Sequence, residues 1–116
     1  MNASIPYFQS AANATKRLVQ AGFTTVHSVH ITNPNTVSLF LQIFDANAAA
    51  DVTLGTTAPN FVIAIPEGTS ATLVGGVDKD FPAPLRLSLG YVWAITTTAT
   101  GATGPTSDCT LSSAYS

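Results

Sequence analysis

Between Leu85 and Thr96 large apolar side chains occupy every second position. Leu85, Leu87, Leu89, Tyr91, Trp93 and Ile95 alternate with Arg86, Ser88, Gly90, Val92, Ala94 and Thr96. A period of two is that of a β-strand with one face buried; on a helix the same residues would be scattered around the axis. The run exceeds the ~5–6 residues of a typical strand. Gly90 therefore predicts a bend, bulge or tight turn within it. Trp93 shares its face with Tyr91 and Ile95, and the pattern places it in a core.

The rest of the chain repeats this β signal. Phe23 to Thr32 is rich in Val, Thr, Ile and Phe and stops at Asn33-Pro34-Asn35, a turn cluster. Val37, Leu39, Leu41 and Ile43 then lie on one face, with Ser38, Phe40, Gln42 and Phe44 on the other. Residues 45–59 read as a long connection with one helical turn. A strand follows from Asn60 to Ile65, and a short one around Ser70 to Val74. The two prolines and charged tip of 77–84 (VDKDFPAP) indicate a loop, the Thr/Gly/Ala-rich stretch 96–107 another, and 108–115 a closing strand. A helix over Ser10–Gln20 is weakened by its Asn and Thr residues. Seven or eight short antiparallel strands spaced by turn residues predict an all-β chain, a single β-sandwich or jelly-roll-like domain. At 116 residues one core is the natural size. The reading divides the chain into an N-terminal arm, 1–14, and a β-sandwich domain, 15–116. Tyr7 and Phe8 are the expected interface anchors of the arm, because no local apolar pattern there requires them.

Charge narrows the function. Only 9% of the residues are charged, against roughly 25% in an average soluble domain. A surface of Thr, Ser, Asn and Ala suits burial against other protein. Lys16, Arg17, Lys79 and Arg86 are the only cationic side chains apart from histidine, and the net charge is −2, which argues against nucleic acid as a partner. No apolar run approaches the ~20 residues of a membrane-spanning helix, so no membrane partner is expected. The opening MNASIPYFQS has no basic segment followed by an apolar one, so synthesis in a cytoplasm is the expectation. Cys109, the single cysteine, permits no internal disulfide.

The residues also fail to assemble a reaction centre. His27 and His30 are the candidate bases, and three residues apart on a strand they face opposite ways. No Gly-X-Ser-X-Gly elbow is present. Asp78 and Asp80 could touch a calcium ion, but a pair supplies too few of the 6–8 oxygens calcium takes. Gly75-Gly76 lacks both the spacing and the lysine of a phosphate-binding loop. Trp93, Tyr91 and Phe81 could stack on a sugar, but their alternation with small residues favours a core. The chain is expected not to be an enzyme and to need no cofactor or metal.

Three stretches carry a resemblance: VHSVHITNPNTVSLFLQIFDA, VTLGTTAPNFVIAIPEG and LRLSLGYVWAITTTATG, followed by a terminal strand. In this order, from about residue 15 to 115, the chain resembles small virion proteins of tailed bacteriophages. The resemblance implies a sandwich or jelly-roll module located in the virion. It would be a capsid decoration or cement protein whose partners are the major capsid protein and copies of itself. A tail, neck or baseplate component, or a carbohydrate-binding host-adhesion module, is the alternative. No reactive or ligand-binding residue is carried over.

Overall fold

The computed structural model describes residues 4–69 and 73–116. Eight strands follow one another: β1 (Ile5–Ala12), β2 (Arg17–Ala21), β3 (Thr24–Asn33), β4 (Leu39–Asp45), β5 (Phe61–Ile65), β6 (Gly75–Leu87), β7 (Gly90–Thr96) and β8 (Cys109–Tyr115). One 3-10 turn, Ala49–Asp51, lies in the β4–β5 connection. The strands form two four-stranded antiparallel sheets, ordered β1-β8-β3-β6 and β2-β7-β4-β5.

That order has a simple origin. Folding the chain back on itself at the β4–β5 connection pairs β4 with β5, β3 with β6, β2 with β7 and β1 with β8, and all four pairings are present. Rolling the resulting ribbon places alternate pairs in opposite sheets, which is the jelly-roll form of the β-sandwich.

The core is the inner face of this roll. β7 contributes Tyr91, Trp93 and Ile95; β4 contributes Leu39, Leu41 and Ile43; and β3 contributes Val26, Val29 and Ile31. Leu87, Ile63, Ile65, Cys109 and Leu111 complete it. Removing each large apolar side chain from water stabilises the fold by roughly 1.5–3 kcal/mol. Trp93 is fully buried, as its alternation predicts, and Tyr7 meets it edge-on with ring centroids 6.3 Å apart. The polar tip of Tyr91 is paired across the sheets: its hydroxyl lies 3.0 Å from Ser113 Oγ, which donates to the Ser28 carbonyl at 2.9 Å.

Several expectations are corrected. Residues 5–12, read as part of the arm, form a strand hydrogen-bonded along β8. No helix forms over 10–20; β1 and β2 occupy that stretch with a short crossing between them. Residues 77–84 belong to β6, where Phe81-Pro82-Ala83-Pro84 bulge out opposite His27. Prolines are tolerated there because β6 is an edge strand and the bulge needs no ladder bonds. Of the strand expected at 70–74, residues 70–72 lie outside the described residues, and Leu73 and Val74 are not in a strand.

Leu89 leaves the alternating face and is 56% exposed, because Ser88-Leu89 is the turn that carries the chain from one sheet to the other. Asp45 holds that turn, its carboxylate accepting from the amides of Ser88, Leu89 and Gly90. Gly90 is required by close approach, since a Cβ there would sit 2.3 Å from the Ala46 carbonyl oxygen.

Candidate interaction surface

The two outer faces of the sandwich differ. Behind the β2-β7-β4-β5 sheet the chain covers itself. Phe44 and Val92 are buried beneath Ala46, Val52 and Leu54 of the β4–β5 connection. Gln42, also outward, donates to Thr96 Oγ1 at 2.7 Å and to the Gly101 carbonyl at 3.0 Å, under the 97–104 loop. Lys16 ties the β1–β2 crossing to this cover by donating to the Val52 carbonyl. All seven residues of β7 are therefore buried, on both faces.

Among the described residues, the outer face of the other sheet carries no such cover over β1, β8 and β3. Register places its side chains in rows across the strands: Pro6, Ala114 and Ser28 in one, Phe8, Ser112 and His30 in the next. These residues line a shallow cleft of about 570 Å³, with Ser4 at its end. Small side chains form the floor, and Phe8, 64% exposed, forms a wall. His30 meets Asp78 of the neighbouring edge strand at 3.0 Å, a pair open to solvent.

The four sheet edges differ as well. β6 carries Asp78, Lys79 and Asp80 followed by its proline bulge. β5 is five residues long between Pro59 and Pro66, and β2 is five residues long with Arg17 and a bulge between Leu18 and Gln20. Charge, proline, brevity and bulges are the devices that stop an edge from pairing with another chain. β1, IPYFQSAA, is eight residues long and has no charge; its breaks are Pro6 near one end and a bulge between Gln9 and Ala12 at the other.

The expected anchors thus part company. Tyr7 is half-buried and faces the core, whereas Phe8 faces outward over the cleft. His27 and His30 do not meet: His27 Nε2 lies 3.0 Å from Ser116 Oγ, at the bulge of β3, and His30 is held by Asp78. Among the described residues, no three of His, Cys, Asp and Glu gather closely enough to hold a metal ion. Cys109 is buried, and loss of solvent, with the charge of Asp108 second, pushes its thiol up to about 11, which keeps it protonated and a poor nucleophile at neutral pH. Burial likewise raises the Tyr91 hydroxyl far above its ordinary value.

Two of the four Lys and Arg side chains are engaged with backbone, Lys16 with Val52 and Arg17 with Ala11, and a third, Lys79, lies 5.8 Å from the centre of the Phe81 ring. Sequence reasoning did not single out Pro6, Ser28, Ser112 or Ala114. Each lies on a strand whose alternation is visible, but nothing local says that β1, β8 and β3 are neighbours. Comparison with protein-family models, with curated proteins and with solved structures finds no match to this chain in any of the three.

Proposed function

We propose that this chain is a structural protein of a tailed-phage virion, a decoration or cement protein that bridges major capsid subunits on the outside of the shell. The observation that carries this reading is the asymmetry of the sandwich. One face is sealed by the chain's own loops, while the other presents, among the described residues, an uncovered, nearly uncharged platform beside the long, uncharged edge strand β1. Such a surface associates through contact area and backbone pairing instead of ion pairs. The resemblance to small phage virion proteins supplies the particle. The sugar-binding alternative draws less support, because the rings best suited to stack on a sugar, Trp93 and Tyr91, are enclosed in the core.

Electron microscopy of particles from a lysate, with a gold-labelled antibody to this chain, tests the assignment. The expected result is label spread over the shell. Label confined to the tail, or particles without label, overturns it.

A further inference from the structure

We infer that the free edge of β1 pairs with β1 of a second copy of this chain, antiparallel across a two-fold axis through Phe8. The inference deepens the assembly reading above and rests on it only for the surface concerned. Thr25 and Ser116 exchange both backbone bonds, N to O 2.9 Å each way, so Ser116 turns its amide and carbonyl toward β3. Bonding direction alternates along a regular strand, and β8 pairs without irregularity on its own side. Tyr115, Ser113 and Leu111 therefore turn theirs toward β1, where their register partners are Ile5, Tyr7 and Gln9. Pro6, Phe8 and Ser10 are left to point theirs at the open edge. Pro6 agrees with this placement, since a residue without an N–H fits where no bond to β8 is needed.

The open window has defined limits. Beyond Ser10 the strand bulges, the Ala11 amide is taken by its neighbour Gln9 at 3.2 Å, and the Ala11 carbonyl by Arg17 at 3.4 Å. The window therefore runs from Pro6 to Ser10 and is centred on Phe8. A two-fold axis normal to the sheet sets each residue opposite one on the same face, which requires the axis to pass through a residue pair. Phe8 opposite Phe8 uses the whole window, with Pro6 opposite Ser10 on either side. The two Phe8 residues exchange both of their backbone bonds, and each Ser10 amide reaches a Pro6 carbonyl. The two aromatic rings stand side by side, a favourable cross-strand pair.

Self-pairing brings every charge on a strand against its own copy or a near neighbour, and β1 has none to repel. The row His30, Ser112, Phe8 then continues into its mirror across the axis, and the two clefts join.

Sedimentation equilibrium of the isolated chain tests this, together with cysteine crosslinking in a Cys109→Ala background. A concentration-dependent species of twice the 12.0 kDa protomer mass is expected. Phe8→Lys, which sets two ammonium groups against each other at an exposed site, is expected to abolish that species while leaving the melting temperature of the dilute, monomeric chain unchanged. Phe8→Cys is expected to form a symmetric disulfide under mild oxidation, and Ser10→Cys, which faces Pro6, is not. A chain that stays monomeric at every concentration overturns the inference, as does a dimer indifferent to Phe8→Lys or one that crosslinks through Ser10→Cys. Shell labelling that persists in a strictly monomeric chain would refute the dimer and leave the proposed function standing.

Discussion

Trp93 concentrates the packing of the fold in one side chain. It is fully enclosed between the sheets, with Tyr7 against its edge and its indole N–H without a partner among the described residues. Trp93→Ala leaves a large cavity and is expected to cost about 3–5 kcal/mol. Trp93→Phe keeps a ring in the same layer and removes the unpartnered donor, so a smaller loss is expected in urea melts of the two variants. Tryptophan emission should be blue-shifted and poorly quenched by iodide. A second prediction concerns alkaline pH. The Cys109 thiol is raised from 9.0 to about 11 in the fold, so between those values the folded chain holds a proton that the unfolded chain has released. Its contribution to stability is complete below pH 9 and is lost as pH rises toward 11. Tyr91, also raised, adds a further loss above its ordinary value of 10.0. Unfolding free energies of Cys109→Ala should fall less steeply than those of the parent between pH 9 and 10.

At the scale of elements, β1 is structural and adhesive at once. Deleting residues 1–12 strips β8 of a partner and uncovers Trp93, so a marked fall in melting temperature is expected by calorimetry; an unchanged melt would mean that β1 does not belong to the sandwich. In the dilute, monomeric chain Phe8→Ala removes only an exposed ring and should leave the melt within about 0.5 kcal/mol of the parent. What the sequence makes legible follows from the same distinction. Alternation reveals β3, β4, β5, β7 and β8 nearly to the residue, and Trp93 as core, because a period of two is local. It does not reveal that β6 tolerates Pro82 and Pro84, since being an edge strand is a property of the sheet. Nor does it reveal that Tyr7 belongs inside: the strand it pairs with, and the Trp93 it packs against, lie far along the chain. Leu89 keeps the period but falls in the turn, where the period no longer describes a face.

For the whole molecule, the all-β class and the sandwich follow from pattern and turn chemistry, whereas β1, β2 and β6, and the difference between the two outer faces, emerge only once the chain is folded. The difference between the faces is the basis of the functional proposal. With so few free charges, binding to a shell should be nearly insensitive to salt, because screening acts only on charge; co-sedimentation with shells at low and high salt should recover similar amounts, and stripping by moderate salt would point to an ionic interface instead. Chelators should leave both folding and binding unchanged, and a melting shift with EDTA would indicate a metal site. The most direct test is hydrogen exchange of the chain free and bound to shells. With the free chain kept dilute enough to be monomeric, the account predicts new protection on binding at the open-edge amides of Phe8 and Ser10, and over the uncovered face formed by β1, β8 and β3. Protection confined to the β4–β5 connection and the 97–104 loop, with the β1 amides still exchanging freely, would contradict it.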